Sequence, residues 1–139
     1  MVDQDYAFDV IALIDSGADL NCIQEGLIPS KYFEKSTEKL NSSSRTKLRI
    51  NYELNNVHVY QNNVCFHILS VLVKDITDKV ILGIPFIAML YPFTAERDGV
   101  STVKMCVPVK FHFASRFETD VCKLSLNLIS TKTKHLNFL

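Results

Sequence analysis

The sequence predicts an all-β fold with one short helix. Three features carry that expectation. Several apolar runs are rich in β-branched and aromatic residues, other segments alternate apolar and polar side chains, and turn-forming residues separate them. The chain has 139 residues, 47% of them apolar, which fits one domain with a core of useful size.

Taken in order, Tyr6 to Ile14 (YAFDVIALI) suits a buried strand. It stops at Asp15-Ser16-Gly17-Ala18, where glycine permits a tight turn. Leu20 to Ile23 makes a short strand, and Leu27 to Phe33, holding Pro29 and Ser30, makes a loop with a helical turn. Ser36 to Leu48 is polar around Asn41-Ser42-Ser43-Ser44. Leu48, Ile50, Tyr52 and Leu54 then alternate with Arg49, Asn51 and Glu53, as in a half-buried strand. Asn55-Asn56 and Asn62-Asn63 are expected turns, because asparagine tolerates positive φ. Val57 to Tyr60 and Val64 to Val73 are the strands around the second of them.

Lys74 to Lys79 is a charged turn. Val80-Ile81-Leu82 forms a brief apolar strand ending at Gly83, Pro85 opens a helix running to Leu90, and Pro92 stops it. The composition shifts near Thr94, giving a core over 1–93 and a C-terminal part over 94–139. In the latter, Thr102 to Ala114 and Val121 to Ser130 read as strands, the second with Cys122, Leu124, Leu126 and Leu128 alternating. The basic residues from Thr131 onward form a loose tail.

Charge and composition exclude several function classes. Lysine plus arginine and aspartate plus glutamate number 15 each, so the net charge is zero. This removes the simplest electrostatic case for binding nucleic acid or a membrane surface. The basic tail leaves only a minor nucleic-acid alternative. No apolar run is long enough to span a bilayer, and the acidic start lacks the basic region of a signal peptide. Cys22, Cys65, Cys106 and Cys122 are widely spaced, as expected of reduced thiols filling apolar sites in a cytoplasmic protein. His58 and His67 read as strand residues, and Asp75 and Asp78 as a solvated turn, rather than as metal ligands. There is no GxSxG, GxGxxG or P-loop, which argues against a serine hydrolase or a nucleotide enzyme.

The chemically informative feature is an apolar strand running into Asp15-Ser16-Gly17. Alone this is a weak signal, since short Asp-Ser-Gly runs are commonly plain turns. Its context is more specific. The segments ALIDSGADLNCI (Ala12 to Ile23), VILGIPF (Val80 to Phe86) and MLYPF (Met89 to Phe93) resemble the retropepsin family. They are most similar to the protease region of plant pararetrovirus and endogenous caulimovirus-like polyproteins. The resemblance covers residues 6–93 and thins beyond, where family chains run toward a reverse transcriptase.

The resemblance implies a retropepsin-like barrel and an aspartic endopeptidase that cleaves its own polyprotein as a homodimer. No cofactor or metal is required. Asp15 is then the catalytic aspartate, one per subunit, and Ser16, Gly17 and Ala18 complete its loop. Ser16 reaches across the dimer axis, while Gly17 and Asp19 lie against substrate backbone. Ile81, Leu82 and Gly83 hold the loop from below, and Ser42, Ser43 and Ser44 sit at a flap tip over the substrate. The partners implied are a second copy and an extended peptide.

Three departures keep an alternative open, an inactive peptide-binding or dimerisation module from a decayed mobile element. The flap tip has no glycine. Only fourteen residues precede Asp15, so the strand that usually pairs with Tyr6 to Ile14 is lacking and an unpaired edge is expected. No tail strand can be assigned to the dimer interface.

Overall fold

The computed structural model describes residues 6–36, 40–41, 47–48, 50–74, 76–115 and 118–128. Among them are β1 (Tyr6–Ile14), β2 (Cys22–Gln24), β3 (Glu34–Lys35), β4 (Leu40–Asn41), β5 (Lys47–Leu48), β6 (Tyr52–Gln61) and β7 (Val64–Val73). They are followed by β8 (Val80–Leu82), helix α1 (Ile84–Leu90), β9 (Phe93–Glu96), β10 (Gly99–Lys104), β11 (Val107–Ser115) and β12 (Glu118–Leu128). The fold is all-β with one short α-helix among the described residues, as the sequence predicts.

The main sheet runs β3-β6-β7-β2-β8-β1-β12-β11-β10-β9, and a further pairing of β12 with β6 closes six of these strands into a barrel. The expected open edge on β1 is not there. β12 pairs antiparallel along it from Tyr6↔Leu128 to Leu13↔Val121. The same strand reaches β6 at its far edge, from Ser125↔Tyr60 to Leu128↔Val57. The partner that would otherwise come before β1 is thus supplied from the C-terminal part. The alternation of Cys122, Leu124, Leu126 and Leu128 gives β12 an apolar face to turn inward, and all four are buried.

β7 shows how burial follows from its neighbours. From Val64 to Leu69 buried and exposed residues alternate, and from Ser70 to Val73 every residue is buried. In this second half β2 lies alongside, and Val71 and Val73 turn into a smaller cluster with Cys22 and Ile50, while Leu72 stays with the main core.

The centre of the main core is a trio of phenylalanines. Phe66 of β7, Phe86 of α1 and Phe111 of β11 have ring centroids 5.6–5.8 Å apart. All three are fully buried. Burying each is worth about 1.5–3 kcal/mol by area, with a further ~0.5–1.5 kcal/mol per edge-to-face pair. One corner of the trio therefore comes from beyond residue 93. The same part of the chain caps the helix, since the Thr102 hydroxyl of β10 donates to the carbonyl of Leu90.

Local expectations are met at most elements, and the exceptions have clear causes. Asn62-Asn63 is the β6–β7 turn, with φ of 51° and 63°. Asn55-Asn56 is instead a bulge inside β6, between the pairs Leu54↔Ser70 and Val57↔Ile68. The His67 imidazole lies 3.0 Å from the Asn55 carbonyl and 3.1 Å from the Asn56 side-chain oxygen, which occupies the polar groups that the bulge frees. The run from Thr102 to Ala114 is two strands, because Met105 and Cys106 turn at φ 52° and 65°. Neither is a residue that normally marks such a turn. Of the cysteines, Cys22 and Cys122 fill buried sites as expected, but Cys65 and Cys106 are exposed.

If β12 is a structural stave, ending the chain after residue 116 abolishes the single cooperative thermal transition. A Phe111→Ala chain keeps that transition and is less stable by about 3–5 kcal/mol in urea. An unchanged melt of the shortened chain would refute the role given to β12.

Candidate active site

The site is built where β8 ends. β1 lies parallel to β8 on one side, with Ile14 opposite Leu82, and β2 lies antiparallel on the other, with Cys22 opposite Ile81. To pass from β1 to β2 the chain has to cross the end of β8, and residues 15–21 make that crossing. Three consecutive residues then bond the loop from below. The Leu82 carbonyl accepts from the Asp15 amide at 2.9 Å, the Gly83 amide donates to the Asn21 side-chain oxygen at 2.9 Å, and the Ile84 amide donates to the Ala18 carbonyl at 2.9 Å.

Gly83 is required here by space. A Cβ built on it would lie 2.5 Å from the Ala18 carbonyl oxygen and 2.6 Å from that of Leu20, both main-chain atoms. Beyond it, the Gly83 carbonyl accepts from the Phe86 and Ile87 amides and opens α1, with Pro85 in the first turn.

Within the loop, one Asp15 carboxylate oxygen accepts from the Gly17 amide at 2.8 Å, and the Asp15 carbonyl accepts from the Ala18 amide at 3.1 Å. The side chain is half-exposed at the barrel's end. Residues 16–17 make the tight turn expected of the sequence, without positive φ at Gly17; a Cβ there would meet the Asp15 carboxylate at 3.2 Å, so the absence of a side chain leaves room beside that oxygen.

The residues picked from sequence fall into three groups. Asp15, Gly17, Ala18, Leu82 and Gly83 are brought together by the bonds above. Ser16 and Asp19 are exposed on the same loop, and Ile81 is half-buried, packed with Leu20 and Ile76 on the smaller apolar cluster. Ser42, Ser43 and Ser44 lie outside the described residues; β4 and β5 on either side of them pair antiparallel, Leu40 with Leu48 and Asn41 with Lys47.

Sequence reading passed over Asn21. It is 2% exposed, its Oδ1 takes the Gly83 amide, and its Nδ2 donates to the Leu69 carbonyl at 3.1 Å. Its own carbonyl accepts from the Val71 amide at 2.9 Å and from the Ser70 hydroxyl at 3.1 Å. The signal was there: a carboxamide between Leu20 and Cys22, in a run otherwise fit for burial, has to find partners.

Away from the loop, His58 and His67 stack across β6 and β7 with centroids 4.7 Å apart, and His58 Nδ1 lies 3.1 Å from Cys65 Sγ. Among the described residues no three histidine, cysteine, aspartate or glutamate side chains converge as metal ligands. Asp78 is exposed and Asp75 lies outside the described residues. Open grooves of about 500 Å³ beside Pro92, Val103 and Lys110, and of about 430 Å³ beside Phe8, Leu27 and Lys123, do not include Asp15. No described helix is long and apolar enough to cross a membrane.

A strand ending in Asp-Ser-Gly, with its loop bonded to an apolar strand end and glycine beneath, in a six-stranded barrel, is the layout of a retropepsin-type aspartic protease domain. The family model described as retroviral aspartyl protease matches residues 5–90, and the chain belongs to that family. No curated protein and no solved structure matches it.

Two measurements test this geometry. Gly83→Ala should destabilise the fold by about 1–3 kcal/mol, read by urea denaturation, because main-chain carbonyls block the added methyl; no loss of stability would mean that the loop has slack. Burial pushes the Cys22 thiol up from 9.0 to about 11, so it stays protonated at neutral pH. Its folded value is raised, so the stability it contributes is present below about pH 9 and falls as pH rises toward 11. A thiol reagent at pH 8 should therefore label Cys65 and Cys106 quickly and Cys22 only on unfolding, as mass spectrometry of the labelled peptides would reveal.

Proposed function

We propose that the protein is an aspartic endopeptidase that cleaves a retroelement-type polyprotein, active as a homodimer with Asp15 and its symmetry mate sharing one site. The observation that carries this reading is a single Asp-Ser-Gly loop, held at three consecutive residues yet leaving the Asp15 carboxylate half-exposed. Peptide hydrolysis with water as nucleophile needs two carboxyl groups in opposite protonation states, and one such loop supplies one. A two-fold axis supplies the other.

Two carboxylates about 3 Å apart do not both ionise cheaply, so the pair holds one proton. The ionised member takes a proton from water while the oxygen bonds to the scissile carbonyl carbon. The protonated member gives its hydrogen to the carbonyl oxygen. The tetrahedral intermediate then collapses: the C–N bond breaks, the amine leaves with a proton returned through the dyad, and a carboxyl product remains.

Ser16, exposed beside Asp15, is the residue proposed to bond across the axis. Asp19 faces outward where an extended substrate would run, with its backbone paired as an added strand. Ser42, Ser43 and Ser44 are the proposed flap tip. The substrate is a polyprotein of pararetrovirus-like type, on the strength of ALIDSGADLNCI, VILGIPF and MLYPF. Four free thiols fit a reducing, cytoplasmic setting. The glycine-free segment 41–44 is what supports the rival, a peptide-binding module without hydrolysis.

Hydrolysis of a peptide mixture near pH 5 decides between them. The protease reading expects kcat/KM to fall at least about 1000-fold in Asp15→Asn, a statine-type inhibitor to block turnover, and specific activity to rise with chain concentration until the dimer saturates. Turnover that survives Asp15→Asn, or that persists in a demonstrably monomeric sample, would overturn it. A folded dimer that binds peptides and cleaves none would favour the binding module.

A further inference from the structure

We infer that Asn21 is a positioning residue for the Asp15 loop, its carboxamide setting the spacing between that loop, the end of β8 and β7. The inference rests on the protease reading for its kinetic consequences and on geometry for the rest. Asn21 is one of the three buried polar or charged residues among those described, and of these it is the one on the loop that carries Asp15. Its side chain uses both of its chemical ends: the oxygen takes the Gly83 amide and the nitrogen gives to the Leu69 carbonyl.

The requirement is for a rigid planar group with an acceptor on one side and a donor on the other. Leucine would match the size and leave the Gly83 amide and the Leu69 carbonyl without partners. Serine or threonine would be too short to span from Leu69 to Gly83 with one group. The other bonds on Gly83 and its neighbours fix where the loop starts and turns, at Asp15 and Ala18. Asn21 fixes where it ends. With both ends held, the direction of the Asp15 carboxylate follows from the backbone, and the Gly17 amide that bonds it is held in register. Misplacement of a reacting group by about 1 Å costs on the order of 100-fold in rate.

Asn21→Asp is the informative substitution because it keeps the shape. One carboxyl oxygen still accepts from Gly83. The other faces the Leu69 carbonyl, and only the protonated acid has a hydrogen to give it. Burial favours the protonated form, so this carboxyl is expected to titrate well above the ordinary range for an aspartate. The segments that bond Asn21, 69–71 and 82–84, carry no titratable side chain. Its own loop carries the ionisable side chains of Asp15 and Asp19, and burial pushes the thiol of Cys22, next along, up to about 11. Dividing variant by wild type at each pH removes the pH dependence that the two chains share.

The experiment follows peptide hydrolysis from pH 4 to pH 7.5, with the ¹⁵N-labelled Gly17 amide as a second readout that needs no turnover. Expected is a ratio of Asn21→Asp to wild-type kcat within about 3-fold of unity at pH 4, falling on the order of 100-fold as pH rises, with KM changed far less. The Gly17 resonance should move through the same transition, and Asn21→Gln, too long for the gap, should be slow at every pH. A ratio flat with pH and a Gly17 resonance that follows wild type would overturn the inference. So would a loss of kcat that only parallels a loss of melting temperature at every pH, with KM rising alongside, the mark of a purely structural role. Should wild type fail to hydrolyse peptides while Gly17 still tracks the Asn21→Asp titration, the positioning role stands and the protease reading falls.

Discussion

The end of β8 is where the molecule spends its most specific contacts. Leu82, Gly83 and Ile84 each make one hydrogen bond with the loop that crosses above them, the first as acceptor and the other two as donors, and Gly83 has no side chain because two carbonyls occupy that space. A backbone held at three successive residues has little freedom in φ or ψ, so the Asp15 side chain projects from a fixed base. Isolated, each bond contributes about 0.5–1.5 kcal/mol net, but breaking one in a buried setting leaves an unpaired group and costs more. Fixing the loop thus follows from the expense of the alternative rather than from the strength of any one bond.

That anchor needs β8 itself to be fixed, and here the rest of the barrel enters. β8 is three residues long and is held on both sides, by β1 and β2. β1 is in turn held by β12, which also reaches β6 and closes the ring. The phenylalanine trio and the Thr102 cap tie the same C-terminal part to α1, whose first turn grows out of Gly83. Residues beyond 93 therefore bear on Asp15 through two routes, one along the sheet and one through the core. The family match ends at residue 90, yet β12, which pairs along the strand leading into the Asp15 loop, lies outside it.

Much of this was legible in the sequence where local chemistry and tertiary setting agree. Tyr6 to Ile14, Val64 to Val73 and Val80 to Leu82 are strands by composition and are strands in the fold. Pro85 marks a helix start that Gly83 and the Leu82 strand end make possible. What escaped depended on partners distant in sequence. The edge of β1 reads as open from its own neighbours, and its partner lies more than a hundred residues on. Met105-Cys106 turns because β10 and β11 must pair, at some cost to two residues that disfavour positive φ. Asn55-Asn56 carries a turn signature and is absorbed as a bulge. At the site, Asp15 and Gly83 announce themselves through their motifs, whereas Asn21 has a role only once Leu69 and Gly83 are brought to either side of it.

The division of labour between rigid base and open carboxylate bears on how such a subunit works. In the proposed dimer, Asp15 would meet its twin across an axis and could not be enclosed by its own chain, so its direction would have to be set from behind. The bonds at Leu82, Gly83 and Ile84 all lie on the backbone side of the loop, and the one described hydrogen bond to the Asp15 carboxylate comes from Gly17 two residues on. With the Asp15 backbone held this way and one carboxylate oxygen bonded to Gly17, the other oxygen is left for the water and peptide of the proposed reaction. If two copies associate as proposed, each would carry a preformed half of the site, and little ordering of the loop would be left to oppose association.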